Sequence, residues 1–235
     1  MNVPAVLRAV TGVAVGVLVR ADGAVLLADR PRGKPYAGYW EFPGGKLERG
    51  ESIDAALGRE LGEELGVEIR APLPWVTFEF DYPHAYVRLH FRRVFEWVGA
   101  PTAHEGQRIA FFNPDGGLPE PLLPAAVPAL RWLRLPDHLM DAELARSPSS
   151  DSAIGPIVST AGGWRGAVVA TRYQLAAAAR SGYDFAIAEL NATGWQAFRA
   201  LASDTPLPLY ARGDLQRGDL HTARQAGAHG IVLSA

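Results

Sequence analysis

Three glutamates, Glu60, Glu63 and Glu64, stand at positions i, i+3 and i+4, with Arg59 directly before them. On a helix that spacing brings the carboxylates onto or near one face, where like charges repel and weaken the helix. A hard cation that takes oxygen ligands reverses the penalty. Arg59 can neutralise or orient one of the carboxylates. Just upstream stand Gly44-Gly45 and Glu51. Glycine lets backbone approach a ligand closely. A glycine loop feeding a carboxylate-rich helix suits a metal-bridged diphosphate, whose charge the metal offsets. The bland alternative is a solvated acidic face, and the flanking glycines and Glu51 argue against it.

The helix that carries these residues is legible. Ser52 is an N-cap, and Asp54 places negative charge in the first turn, where the dipole favours it. Ile53, Leu57, Leu61 and Leu65 form one apolar stripe. Gly66 follows as a C-cap. The predicted helix has about 13 residues.

Around it, Thr11–Arg20 and Ala24–Arg30 are β-rich runs joined at Asp22-Gly23, a hairpin signal. Arg30–Tyr39 is a loop rich in Pro, Gly and basic residues, and Trp40–Phe42 a short strand. Trp75–Phe80, Ala85–Gly99 and Ile109–Phe112 read as strands, and Leu122–Leu135 has helical spacing. Residues 136–157, with the core Ser147-Pro-Ser-Ser-Asp-Ser152, read as a linker. Beyond it, short apolar strands (166–170, 183–188, 206–211, 230–234) alternate with helices (174–181, 195–202, 215–226), the pattern of parallel βα units. Four strands do not close an eight-stranded barrel.

The 235 residues allow one large domain or two small ones. A net charge of −2 gives no basic field to attract nucleic acid or an acidic membrane. Without cysteine there is no disulfide, zinc-thiolate site or thiol nucleophile, which fits a cytoplasmic location. The N-terminus lacks a signal-peptide pattern, and no apolar run is long enough to span a membrane. His84, His90 and His221 have no ligand spacing. Trp75, Trp132 and Trp195 read as core, and Trp40 and Phe80 as candidate base contacts. Arg88, Arg92 and Arg93 read as a solvated strand face.

Gly45 to Val67 reads G-x5-E-x7-R-E-U-x-E-E-x-G-U, with U aliphatic, and fills every specified position of the Nudix hydrolase signature. Residues 1–135 resemble a Nudix hydrolase of the MutT type. Trp40–Lys46 resembles the approach to its catalytic loop, Ala103–Gln107 the segment that adds a glutamate to the metal site, and Leu123–Pro128 the start of the helix bordering the base pocket. The resemblance implies an α/β architecture: an α+β Nudix fold, a mixed sheet sandwiched by helices. It implies Mg²⁺ or Mn²⁺ held by Glu60, Glu63, Glu64, Glu105 and the Gly44 carbonyl. One of the carboxylates would help generate the attacking water, and Arg59 would orient a glutamate. Arg30, Glu41, Phe42, Pro43, Gly44, Gly45, Lys46 and Ala126 would lie at the substrate. Attack at the β-phosphorus would give a nucleoside monophosphate and pyrophosphate. MutT proteins that select 8-oxoguanine carry asparagine where this chain has Ala126, so one partner for the base is missing.

Residues 158–235 resemble the second half of thiamine phosphate synthase, implying a small βα-repeat domain like half a TIM barrel. The likeness rests on segments such as Ala170–Ala178, Gly194–Phe198 and Ala226–Ile231. The phosphate segment has shrunk to Leu190–Thr193, and Arg212-Gly213-Asp214 replaces a glycine pair. Without glycine-backed amides phosphate binding weakens. The expected role is therefore a scaffold, or homodimerisation through exposed sheet edges. The leading expected activity is hydrolysis of oxidised dGTP (8-oxo-dGTP) in nucleotide-pool sanitation. Hydrolysis of thiamine-pathway pyrophosphates, a broad (d)NTP pyrophosphatase, and a non-catalytic nucleotide-sensing module are the alternatives. The expected partner is a small-molecule nucleotide, with no direct nucleic-acid contact.

Overall fold

The structure, a computed structural model, describes residues 9–151, 153–190 and 194–234. Its first half is built on β1 (Val10–Leu18), β2 (Val25–Asp29), β3 (Trp40–Glu41), β4 (Gly44–Lys46) and helix α1 (Ile53–Leu65). Then follow β5 (Glu68–Arg70), β6 (Leu73–Tyr82), β7 (Ala85–Val94), β8 (Glu96–Val98), β9 (Ile109–Phe112) and α2 (Ala126–Trp132). One sheet has the order β4-β1-β7-β6, with β1 and β7 parallel and the other pairs antiparallel. A second has the order β3-β2-β9, and β5 pairs with β8.

The two-residue period of a strand explains the layering. Along β1, Ala14 and Leu18 face a cluster made with Leu57, Leu61 and Leu65 of α1. Val15 and Val17 face the opposite cluster, which holds Ala126, Ala129 and Leu130 of α2. The sheet is thus sandwiched between two helices. The three α1 leucines are fully buried, each worth roughly 2 kcal/mol. Gly16 allows the close approach: a Cβ there would meet Leu61 at 2.9 Å and Leu57 at 3.2 Å.

The Asp22-Gly23 turn forms, with Gly23 at φ +84°. The expected hairpin does not. Beside the turn the runs share the antiparallel bridge Val19–Val25 and the Arg20 amide to Ala24 carbonyl bond (2.9 Å), and then β1 and β2 separate into different sheets.

The second half comprises β10 (His138–Met140), β11 (Ala145–Asp151), β12 (Gly155–Ser159), β13 (Arg165–Val169) and α3 (Arg172–Arg180). It continues with β14 (Phe185–Glu189), α4 (Gly194–Ala202), β15 (Leu209–Arg212), α5 (Leu220–Gln225) and β16 (Gly230–Leu233). Seven strands make one sheet, β10-β16-β15-β14-β13-β12-β11. The first five run parallel, consistent with a half-barrel, and β12 and β11 add antiparallel. Residues 136–157 are therefore not a linker: they supply β10, β11 and the start of β12. Their polar, proline-bearing sequence is compatible with a strand because β11 is at the sheet edge, where one side needs no partner. The part of the Leu190–Thr193 segment from residue 191 on lies outside the described residues.

Helices α3, α4 and α5 pack on one face through Leu175, Phe198 and Ala223. The other face, which a full barrel would close with further strands, is filled by Leu135, Leu144, Trp132 and Trp164. The two halves meet over buried polar groups. Trp75 Nε1 donates to His229 Nδ1 (3.1 Å) and the Thr77 amide to the Thr205 carbonyl (2.7 Å). Arg93, expected as solvated, is 2% exposed and donates to the carbonyls of Ala228 (2.6 Å) and His229 (3.1 Å). No described helix is long and apolar enough to cross a membrane.

Candidate active site

Helix α1 begins and ends as its sequence dictates. Ser52 Oγ accepts from the Ala55 amide (3.2 Å), and Gly66 closes the helix at φ +66°. With Leu57, Leu61 and Leu65 fixed in the core, Glu60 and Glu64 are turned towards β4. A cavity of about 550 Å³ opens there. Its walls include Gly44, Gly45, Glu60, Glu64, Glu105, Glu41, Tyr82 and Ala126. At Gly45 a Cβ would sit 2.0 Å from the Glu60 carboxyl carbon, so any side chain there would displace that carboxylate.

Each carboxylate has its own partner. Glu64 Oε2 accepts from the Gly44 amide (3.1 Å). Glu60 Oε1 accepts from Arg59 Nη1 (2.8 Å), while Arg59 Nε and Nη2 also bind Glu51 (3.0 and 2.9 Å). Those carboxylates push Arg59 further up, and Arg59 holds Glu51 below the usual carboxylate range. Glu105 Oε2 accepts from Lys34 Nζ (2.9 Å). Burial pushes Glu64 up to about 7, against the Gly44 bond and with the charges of Glu105, Glu60 and Glu41 adding to the rise.

The chain from 102 to 107 is placed by the free carbonyls at the end of α1. Thr102 and His104 amides donate to Leu65 and Glu64 carbonyls (2.9 and 3.1 Å). Gln107 donates to the Glu64 carbonyl (3.0 Å) and accepts from the Glu105 amide (2.7 Å), fixing Glu105 at the cavity.

At the far end, Arg30 Nη1 binds Glu41 Oε1 (2.6 Å). Burial raises Glu41, and the charges of Arg30 and Lys34 pull it back. Phe42 is buried, with its ring 5.9 Å from Phe91. Pro43 and Lys46 line the cavity, and Ala126, 4% exposed, closes it with a methyl group. Tyr36, Tyr82 and His84 pack ring to ring at 5.4–5.8 Å along one wall.

The sequence-predicted residues thus converge, apart from Glu63. Its side chain is 65% exposed, reaches Arg59 at 3.9 Å and does not line the cavity. Trp40 and Phe80, the candidate base contacts, pack behind the wall against Phe112 and Tyr82. Lys34, Tyr36, Tyr82 and Gln107 join the site without having stood out in the sequence, and His84, read there only as lacking ligand spacing, joins its wall. A lysine between two prolines and the aromatic turn Tyr82-Pro83-His84 were the available signals.

An all-oxygen donor set of crowded carboxylates suits a hard divalent cation. Among the described residues no three acidic or histidine groups form a closed cage. Each carboxylate is instead turned to its own protein partner. Glu60, Glu64 and Glu105 would hold the ion, with Glu63 on the same helix and Gly44 on the facing strand β4.

Residues 10–151, more than half of the chain, match the NUDIX domain family. This chain belongs to that family. As a Nudix pyrophosphohydrolase it has named relatives. It is 39% identical over 116 residues to the CTP pyrophosphohydrolase of Escherichia coli K12, covering 49% of this chain and 86% of that protein. It is 39% identical over 95 residues to the 8-oxo-dGTP diphosphatase of Haemophilus influenzae, covering 40% and 70%. A solved MutT NUDIX hydrolase from Burkholderia pseudomallei matches at 29% identity and a TM-score of 0.49, covering 52% of this chain and 97% of that one. The family match runs past residue 135 into β11.

Proposed function

We propose that this Nudix enzyme hydrolyses a nucleoside triphosphate to the monophosphate and pyrophosphate, with oxidised dGTP as the leading substrate and Mg²⁺ or Mn²⁺ as cofactor. The observation that carries the reading is Glu64. It is a mostly buried carboxylate bonded to the Gly44 amide and crowded by Glu60 and Glu105 at the mouth of the cavity. The divalent ion would lower the pKa of water and offset charge on the leaving diphosphate. Arg59 holds Glu60 in place through two bonds to Glu51. One of the carboxylates at the ion, Glu64 among them, would take a proton from the attacking water. The ring wall of Tyr36, Tyr82 and His84 would stack on the base. The Glu41 carboxylate would accept from an amino group on the base edge.

A second reading is a cytosine nucleotide. Ala126 supports it, because the cavity has no side-chain amide at that position to read a purine edge, and the CTP-hydrolysing relative points the same way. Pyrophosphate and phosphate release with Mg²⁺ should be compared across 8-oxo-dGTP, dGTP, CTP, the other dNTPs and hydroxymethylpyrimidine pyrophosphate. Preference for 8-oxo-dGTP is expected, and preference for CTP selects the second reading. Glu64→Gln should lower turnover by roughly a hundredfold or more while the fold persists. Retained turnover in that variant would sink the assignment of Glu64.

A further inference from the structure

Lys34 places its ammonium on a carboxylate of the site, bridging Nζ to Glu105 Oε2 at 2.9 Å. The contact joins residues 71 apart, so it reflects how the 31–38 loop is held over the cavity. That loop is stiff and anchored. Pro31 and Pro35 flank Lys34, and prolines fix their own φ. Arg30 Nε donates to the Pro35 carbonyl (2.7 Å), and the Gly38 amide to the Arg30 carbonyl (2.9 Å). Tyr36 is kept at φ +61°, an unfavourable conformation for tyrosine, while its ring packs on Tyr39, Tyr82 and His84. The backbone is thereby set, and the four-carbon lysine stem remains free to turn.

Two features make the contact exchangeable. Both partners are about half exposed, 50% and 41%, so the ion pair is weak. Glu105 is also one of the carboxylates suited to a divalent cation, which carries twice the charge of an ammonium. Arg59 does not compete in the same way, because its bonds to Glu51 survive loss of Glu60.

We propose that Lys34 is a polyphosphate-binding residue of this site, held on Glu105 until a divalent cation takes that carboxylate and then turned onto the phosphate oxygens of the nucleotide. The inference rests on the proposed nucleotide hydrolysis. On this view the loop carries a cation that neutralises Glu105 before metal arrives and the triphosphate afterwards. No bond is made or broken, and one ammonium exchanges one oxygen-anion partner for another.

The test uses the full chain with Lys34→Met and Lys34→Arg. Mn²⁺ binding without nucleotide is followed by electron paramagnetic resonance of the free ion, and KM and kcat are measured on whichever nucleotide the wild type turns over. Lys34→Met should bind Mn²⁺ roughly two- to fivefold more tightly, since a weak competitor is gone. Its KM should rise about tenfold, with the loss falling on KM rather than kcat, as for a lost charge-assisted phosphate contact. Lys34→Arg should restore both values towards wild type. Unchanged Mn²⁺ affinity in Lys34→Met overturns the exchange, and an unchanged KM overturns the phosphate contact. A wild type that neither binds Mn²⁺ nor turns over a nucleotide sinks the parent function instead, so the two failures are distinguishable.

Discussion

Arg59 and Arg93 are both enclosed in polar networks, and they are opposites. Arg59 spreads its guanidinium over Glu51, Glu60 and the Lys46 carbonyl, all within 13 positions in the chain. Carboxylates raise its proton affinity. Arg93 is bonded to main chain instead. It is wedged at 5.6 and 5.8 Å over the rings of Trp75 and Phe95, and its bonds go to two carbonyls 135 and 136 residues further on. Burial, with the like charge of Arg224, lowers it to about 9. The same residue type thus serves two ends. At α1 a cation orders carboxylates that would otherwise repel. Between the sheets a desolvated cation satisfies main-chain acceptors that would otherwise be buried without partners. Chemistry should depend on the first and the integrity of the chain on the second.

Arg93→Ala offers the hardest trial of that contrast. It leaves a cavity and removes a donor from two carbonyls, so stability should fall by about 3–5 kcal/mol. Urea denaturation followed by tryptophan fluorescence measures this, and the folded fraction should keep its turnover. Arg93→Met fills the space and removes the desolvated charge, so its loss should be about half as large. An unchanged midpoint in Arg93→Ala would mean that the contact between the halves contributes little.

Arg59→Ala should show the reverse, with kcat down about thirtyfold, roughly 2 kcal/mol of barrier. Its melting temperature should fall much less than that of Arg93→Ala, because the buried leucine stripe of α1 is untouched. A large loss of stability with normal kcat would erase the distinction.

Acid should probe the contact between the halves selectively. Burial first, and then the charge of Arg93, lowers His229 from 6.5 to about 3. Between those pH values the unfolded chain binds a proton that the folded chain refuses. Stability therefore falls as pH drops through this window, by up to ~1.4 kcal/mol per pH unit. His229→Gln should flatten that slope in denaturation midpoints taken from about pH 7 to 4. A slope that persists would assign the acid sensitivity to other groups.

The smallest effect is expected at the base end of the cavity. Ala126→Asn adds an amide at a wall position and should shift the ratio of kcat/KM between 8-oxo-dGTP and CTP by about tenfold towards the purine. A shift towards CTP would mean that Glu41 and the ring wall, and not position 126, set the preference.

Much of the site is legible in the sequence because its parts are neighbours in the chain. Ser52, the leucine stripe, Gly66 and the carboxylate spacing belong to one helix whose signals are local, and the helix forms as read. Ile109–Phe112 also forms as read. Glu63 departs from expectation because i+3 and i+4 spacing places a residue near a face without fixing which side of it faces the cavity. Tyr82, His84 and Lys34 escape a sequence reading because their roles exist only where separate loops meet. The linker reading fails because the polar sequence of β11 carries no apolar period to detect, while its place at the sheet edge lets it pair along one side despite Pro148. Arg93 departs for a related reason: the alternation of β7 puts it on the inward face with Val87, Leu89 and Phe91, but the carbonyls that accept from it come from residues 228 and 229, far along the chain.

By itself the sequence determined the reacting helix, its caps and its carboxylates, since short-range spacing and backbone preference suffice for those. Tertiary structure alone decided that Glu105 and Lys34 meet, that Gly44 donates to Glu64, and that the second sheet is sealed to the first through Trp75, Arg93 and His229. These contacts join segments 20 to 154 positions apart. Their energies depend on burial and on the company of other buried groups, and neither is a property of any local stretch of chain.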